Sequence, residues 1–220
     1  MRWSASLAYA IGLIATDGSL SKDRRHIILT SKDRDQIENF AKILNIKNKI
    51  GLKSGSFTDK KEYYQIQFGN VKMYRFLESL GLMPNKTKII GSLKIPQRYI
   101  ADFLRGHLDG DGYTYSYWDK RWKNSYLFYT CFLSASVDHI NWIRNTIRDL
   151  YGITGRIRFQ GKSIYRLIFA KNGSIKLLSK LYYKEGLPCL ERKRLKIMAA
   201  LDIIGVGRGA EIGRQATLRR

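Results

Sequence analysis

The fold class this sequence predicts is α+β, built as two pseudo-symmetric repeats. Three observations predict it. First, Ala10-Ile11-Gly12-Leu13-Ile14-Ala15-Thr16-Asp17-Gly18 recurs in outline as Leu104-Arg105-Gly106-His107-Leu108-Asp109-Gly110-Asp111-Gly112. Each is a short apolar helix pattern with a glycine in the middle, closing on Asp-Gly. Asp17 and Asp111 lie 94 residues apart, close to half of the 220-residue chain. Second, segments of period two alternate with helical patterns in both halves, which mixes sheet with helix throughout. Third, the halves end alike, Leu80-Gly81-Leu82-Met83-Pro84 against Glu185-Gly186-Leu187-Pro188. Each half reads helix, two strands, helix, two strands, helix.

Taken in order, the first motif helix is followed by strands at 25–30 and a helix over about 33–44, which opens with acids as helix N-termini favour. Strands follow at 46–53 and 63–68, around the turn-like Ser54-Gly55-Ser56. A helix over about 71–80 stops at Gly81. Segment 89–98, punctuated by Pro96, links the repeats. The second motif is followed by strands near 113–118 and 125–133 and a helix over about 138–151. Strands at 155–160 and 164–169 come next, then a helix over about 174–184. The repeats are accordingly bounded at 5–88 and 99–204, and 205–220 is a basic, glycine-rich tail.

Charge bounds the partners. Forty Lys and Arg face eighteen Asp and Glu, a net charge of +22, which points to a polyanion. The basic residues appear in nearly every segment from Lys22 to Lys196, so the binding surface belongs to the folded body. With 44% hydrophobic and 12% aromatic residues the chain can bury a core, which argues against a disordered basic arm. It has no 18-residue apolar run or basic amphipathic helix, and no membrane partner is expected. Met1-Arg2-Trp3-Ser4 lacks a signal-peptide layout. Cys131 and Cys189 stand alone in apolar contexts, without zinc-type spacing to His26, His107 or His139. They read as reduced core thiols of an intracellular protein.

The strands divide their faces. Tyr63, Gln65 and Gln67 alternate with Tyr64, Ile66 and Phe68. Arg156, Arg158 and Gln160 alternate with Ile157 and Phe159. Lys47, Lys49 and Lys53 alternate less strictly with Ile46, Ile50 and Leu52. Solubilising faces usually mix charges of both signs, whereas these carry the side chains that reach phosphates and base edges. With Lys32, Lys120, Arg121, Lys123, Lys162 and Arg166, they form the expected DNA-binding set. A concave basic sheet suits duplex DNA, whose major groove accepts a two-stranded ribbon.

A mid-helix glycine costs about 1 kcal/mol relative to alanine. Gly12 and Gly106 are explained if the two motif helices pack backbone to backbone there. The helix ends then converge and bring Asp17 beside Asp111. Two adjacent carboxylates repel, with raised pKa values, unless a cation lies between them. Hard oxygen ligands select Mg²⁺ or a similar ion. Asp109, two positions from Asp111, projects about 200° away on a helix, so Asp111, in register with Asp17, is the expected partner. At the glycines, valine or leucine should force the helices apart, and alanine should be milder.

The two frames resemble the motif that names the LAGLIDADG homing endonucleases, in the single-chain, two-repeat form. Phe103-Leu104-Arg105-Gly106-His107-Leu108-Asp109-Gly110-Asp111-Gly112 is the closer match. In the first copy Ala15-Thr16 stands where the name has Asp-Ala, and the final acid is kept. The resemblance spans roughly residues 5–202. It implies an αββαββα fold per half, with saddle-shaped antiparallel sheets over a long, asymmetric double-stranded DNA site, bound by a monomer. It implies phosphodiester hydrolysis of both strands, leaving 3′ overhangs. Mg²⁺ would be held at Asp17 and Asp111, with Thr16 and Gly110 beside them; Mn²⁺ would substitute, and Ca²⁺ would support binding without cleavage. Lys171, after Leu167-Ile168-Phe169-Ala170, takes the place of a basic residue near the scissile phosphate. The first repeat has Gly69-Asn70 there, leaving Lys32 or Lys49 to substitute. Ser31 and Ala135 fall near positions that order water. Rival readings within the same fold are a maturase that binds intron RNA and a non-cleaving DNA-binding regulator; retention of both acids favours the nuclease. No splicing nucleophile flanks the chain, so a free-standing or intron-encoded product is expected, in the cytoplasm or nucleoid or in an organelle matrix.

Overall fold

The structure, a computed structural model, describes residues 1–54, 61–122, 124–161 and 163–205. Helix α1 (Ala5–Thr16) starts where the Ser4 hydroxyl accepts the Leu7 amide at 3.1 Å, a side-chain N-cap. Leu7 through Ala15 are all buried. A helix without a polar face has to lie inside the molecule, and α1 does so against α4 (Ile100–Gly110), which is likewise buried along most of its length. Around this pair each half contributes one antiparallel sheet. The first contains β1 (Gly18–Leu20), β2 (His26–Ser31), β3 (Gly51–Ser54) and β4 (Lys61–Gly69), in the order β1-β2-β4-β3. The second contains β5 (Tyr113–Trp118), β6 (Tyr126–Ser134), β7 (Arg156–Phe159) and β8 (Tyr165–Phe169), in the equivalent order β5-β6-β8-β7. Helices α2 (Arg34–Leu44) and α3 (Val71–Leu80) belong to the first repeat. Helices α5 (Val137–Tyr151), α6 (Lys171–Leu181) and α7 (Glu191–Ile204) belong to the second.

Alternation sorts the strand faces. Ile27, Leu29, Ile66 and Phe68 point into the core in the first sheet, as do Phe128, Phe132, Leu167 and Phe169 in the second. The register then places Ile28 opposite Gln67 and Thr30 opposite Gln65 on one outer face, and Tyr115 opposite Tyr129 and Arg158 opposite Arg166 on the other. Both cysteines are free thiols.

Several elements differ from the sequence expectation. The strand expected at 46–53 is confined to Gly51–Ser54. Asn45 ends α2 in the left-handed region, and the Ile46 amide bonds back to Ala41 O at 2.8 Å, so this stretch is taken up in closing the helix. Strand β1 supplies the other strand of the first hairpin, ahead of the 25–30 stretch expected for both, and helix α7 is additional. Helix α7 has little apolar periodicity to show: Ile197, Ala200 and Leu201 are buried on one face, but the exposed Leu195 and Ile203 spread apolar residues round the rest of the helix. Helix α6 begins at Lys171, ahead of Ser174, and ends at Leu181. Gly55, Ser56, Lys123, Lys162 and residues 206–220 of the tail lie outside the described residues.

The crossing of α1 and α4 has no room for side chains. A Cβ on Gly12 would overlap Phe103 O and lie 2.7 Å from the His107 amide nitrogen. A Cβ on Gly106 would overlap Tyr9 O and lie 2.9 Å from the Tyr9 carbonyl carbon. The obstacles are backbone atoms of the opposite helix, so even alanine meets them, and its substitution is not mild. Gly12→Ala or Gly106→Ala should lower the thermal midpoint by several °C, since an overpacking cost of about 1–3 kcal/mol exceeds the helix-propensity gain. Gly91→Ala, with nothing within 4 Å of its Cβ position, is the control; equal melting of all three variants would refute the close contact.

Candidate active site

Both motif helices end on their aspartate in the same backbone conformation, Asp17 at φ −87°, ψ −4° and Asp111 at φ −85°, ψ −4°. The ends meet. The space that a Gly110 side chain would need is held by the Thr16 Cβ at 2.7 Å and by Asp17 Oδ2 at 3.1 Å. Thr16 and Gly110 occupy the same motif position, so the larger residue of one copy fills the gap left by the smaller. Asp111 is exposed and Asp17 half-buried, so the pair can be reached from outside.

Electrostatics marks this pair. Desolvation and then the neighbouring Asp111 carboxylate push the Asp17 pKa up to about 7, against opposing pulls from Lys193 and Lys86. Asp111 is also raised, by desolvation, with Lys86 and Lys193 again lowering it. A desolvated carboxylate whose strongest charged neighbour is another carboxylate is short of positive charge. Two oxygen donors of this kind fit a hard divalent ion such as Mg²⁺. Among the described residues no group of three or more His, Cys, Asp or Glu forms a fuller ligand cluster.

Two lysines that the sequence reading passed over stand here. Lys86 is 6% exposed, and its Nζ donates to Thr16 O at 3.4 Å and to Gly18 O. Lys193, from the first turn of α7, donates to Leu108 O at 2.9 Å, Asp109 O at 2.6 Å, Gly110 O at 3.0 Å and Gly112 O at 2.7 Å. Each ammonium therefore satisfies the last carbonyls of one motif helix, groups that a helix leaves without partners. Burial lowers Lys86 to about 8 while the two aspartates resist the shift; Lys193 is lowered for the same first reason. The sequence held a trace of the first, in Pro84-Asn85-Lys86 after the repeat end. Lys193 is displaced in sequence by the start of α7 and has no matching letters around it.

Other predicted positions have other employment. The Thr16 hydroxyl donates back to Leu13 O at 3.0 Å and Gly12 O at 3.2 Å, and the Thr16 and Gly110 carbonyls already accept from the lysines. Lys171 is not brought to the acids. Phe169 pairs with Thr130, which pairs with Thr114, and β8 runs on from there in the direction that leads β5 away from Asp111; Lys171 then opens α6. Asp109 is buried, accepting from Tyr9 OH at 2.9 Å and the Leu190 amide at 2.7 Å, which commits it to structure. Ser31 is matched by Ser134 rather than by Ala135: each hydroxyl oxygen accepts the amide two residues on, at 3.1 Å and 3.0 Å. The Ser31 hydroxyl itself donates to Gln36 Oε1 at 2.6 Å.

Of the expected DNA contacts, Gln65 and Gln67 share the outer face of the first sheet. Lys53 lies opposite Tyr63, and the Lys32 ammonium is 5.2 Å from the centre of the same ring. Lys47 and Lys49 precede β3 and lie off the sheet. Arg156 and Arg158 are exposed on β7, Gln160 is exposed just past its end, and Lys120 is exposed in the β5–β6 connection beside Arg121, which pairs with Asp119 at 3.3 Å. Arg166 Nη1 donates to Tyr113 OH at 2.9 Å.

Because the Asp17 pKa is raised in the fold, the folded chain holds this proton more tightly than the unfolded one. Its contribution is most favourable below the usual carboxylate range near 3.8 and is lost as pH rises through about 7. In the presence of chelator, Asp17→Asn should melt a few °C above the parent at pH 8, at about 2–4 °C per kcal/mol for a chain of this size. The difference should shrink towards zero near pH 4. A gain that does not depend on pH would show that the carboxylate is not strained.

Residues 4–81 match the family described as LAGLIDADG-like domain. Among solved structures, the homing endonuclease I-WcaI bound to its DNA recognition sequence superposes with a TM-score of 0.61, at 14% identity, over 89% of this chain and 88% of that one. I-DmoI in complex with DNA and Mn gives 0.53, at 17% identity, over 82% and 98%. The N-terminal LAGLIDADG domain of DUF199/WhiA gives 0.56, at 16% identity, over 86% and 88%. Two curated relatives match over part of the chain. An A-type ATP synthase protein of Methanopyrus kandleri is 26% identical over 105 residues, 48% of this chain and 10% of its own length. The uncharacterized protein MJ0314 of Methanocaldococcus jannaschii is 29% identical over 116 residues, 50% of this chain and 41% of its own. The chain thus spans less than half the length of the curated relatives it matches. Its first repeat matches a LAGLIDADG-like domain, and the chain as a whole carries the two-repeat fold seen in structures of LAGLIDADG homing endonucleases.

Proposed function

We propose that this protein is a site-specific endonuclease that binds a long, asymmetric double-stranded DNA site and hydrolyses both strands. The observation that carries the reading is the pair Asp17 and Asp111, forced together at the helix joint and flanked by two buried ammonium groups. DNA binding and structure do not need such a pair, and strained carboxylates of this kind concentrate at functional sites. Homing endonucleases of the same fold have been solved with their DNA targets, and with Mg and Mn.

In this reading Asp17 and Asp111 would hold Mg²⁺, which when bound would polarise a water and offset charge on the scissile phosphate. The chain's own residues do the remainder. The aspartates fix where that water stands. Lys86 and Lys193 offset the charge of the two acids at the helix ends. A water oxygen would bond to phosphorus as that water gives up a proton to the solvent, the phosphorus–oxygen bond to the leaving group would break, and the leaving oxygen would take up a proton from the solvent. One acid from each repeat is already present in a single chain, which favours a monomer. Among the described residues no helix is long and apolar enough to cross a membrane.

The likeness to the WhiA domain supports a second reading, a DNA-binding protein that does not cut. Incubation of the chain with duplex DNA decides between them: cleavage in Mg²⁺ or Mn²⁺ and binding without cleavage in Ca²⁺ is the nuclease result. Selective retention of intron RNA over duplex would instead mark a maturase. Asp17→Asn and Asp111→Asn should each abolish cleavage while binding is unchanged or slightly tighter, since a negative charge near phosphate is removed; cutting at the parental rate would refute the assignment. Arg156→Ala with Arg158→Ala should reduce the salt dependence of binding by about one for each phosphate no longer engaged. An unchanged slope, affinity and specificity would place β7 away from DNA.

A further inference from the structure

The two outer sheet faces are not chemically equivalent. At matching offsets from the motif acid, the first repeat has Ser19, Ser21 and Asp23, where the second has Tyr113, Tyr115 and Tyr117. These tyrosines alternate along β5, next to the acid pair, and Tyr129 faces Tyr115 across the β5–β6 pairing. The rings pack on one another. Tyr115 and Tyr129 are 4.8 Å apart at 14°, Tyr115 and Tyr117 6.3 Å at 7°, and Tyr117 and Tyr129 6.3 Å at 19°. Tyr113 is held at its tip by Arg166.

This arrangement decides what the rings can do. Flat faces already turned to one another leave no slot for a nucleobase, so the array is a poor stacking platform for single-stranded nucleic acid. What it presents outward is its edges and hydroxyls. Tyrosine loses few rotamers on ordering, and mutual stacking fixes these further. Among the described residues the Tyr115 hydroxyl makes no hydrogen bond within the protein; the Tyr117 hydroxyl shares one with Tyr129, and with Tyr117 48% exposed it keeps hydrogen-bonding capacity towards the outside. Burial raises the Tyr113, Tyr115 and Tyr129 phenols, so they stay protonated donors. Phosphate contacts favour cations, and the exposed cations of this sheet lie away from the tyrosine array: Arg156 and Arg158 on β7, at the opposite edge from β5, and Lys120 and Arg121 beyond the end of β5 in the β5–β6 connection. Neutral, rigid donor–acceptor groups suit base edges instead.

We infer that the tyrosine array is a specificity-determining surface, with the hydroxyls of Tyr115 and Tyr117 reading base edges in the half-site beneath the second repeat. The inference rests on the DNA-binding reading above but not on cleavage. The test is selection of binders from a duplex library with a randomised centre, in Ca²⁺, with the parent chain, Tyr115→Phe, Tyr117→Phe and Gln67→Ala. Phenylalanine keeps the stack and removes only the hydroxyl, and melting curves confirm that each variant folds. The tyrosine variants should lose base preference, on the order of tenfold for one contact, at adjacent base pairs in one half of the enriched site. Gln67→Ala should alter the other half. If the parent enriches a site but the tyrosine variants leave its preferences unchanged, or bind all sequences uniformly more weakly, the inference fails alone. If the parent enriches no duplex, the DNA-binding reading fails with it.

Discussion

The backbone-to-backbone contact of α1 and α4 at Gly12 and Gly106 is the constraint on which the remainder of the molecule depends. Without side chains at these positions each helix approaches the carbonyl and amide groups of the other. Such an approach is rigid, because backbone atoms cannot rotate away as a side-chain tip can. Rigidity there is carried to the helix ends, where Thr16 packs into the vacancy at Gly110 and Asp17 reaches the same spot. The separation of the two acids is therefore fixed by a contact more than a helical turn away, and a loop is not asked to hold it.

Bringing these ends together is electrostatically costly, and the fold answers with buried lysines. The C-terminal end of a helix carries partial negative charge, and here two such ends and two carboxylates converge. Lys86 and Lys193 bond the terminal carbonyls and pull both aspartate pKa values down. They meet the charge only in part, since both acids remain raised. That residual shortage of positive charge is what the cation of the proposed reaction would meet.

The repeats share this plan and differ at their edges. Helix α7 has no counterpart in the first repeat, and it ties the halves together: Arg192 forms a two-pronged ion pair with Asp33 at 2.6 Å, and Asn39 reaches Cys189 O at 3.5 Å. In α4 the buried Arg105 is satisfied by Asp102, Leu181 O and Pro188 O, which anchors the segment leading to α7 and hence Lys193. The sheets diverge most on their outer faces, glutamine and threonine on one and tyrosine and arginine on the other. Such a difference suits a target whose halves are not alike.

The sequence by itself determined the repeat, the α+β class, the motif acids and the reason for the two glycines. These are local or periodic properties: a helix with no polar face must be buried, a mid-helix glycine needs a close neighbour, and strict alternation splits a strand into two faces. Tertiary structure alone decided which cation serves the acids. The motif resemblance points to Lys171 and is silent on Lys193; only strand direction, which carries the first away from Asp111, and the docking of α7, which returns the second to it, reverse that choice. The severity of the glycine contact and the pairing of Thr16 with Gly110 were likewise hidden, because both depend on distances between atoms about ninety residues apart in the chain. The length of β3 and the presence of α7 escaped the pattern for the converse reason: one is shortened by a left-handed helix stop at Asn45, the other shows too little periodicity to announce which side it buries.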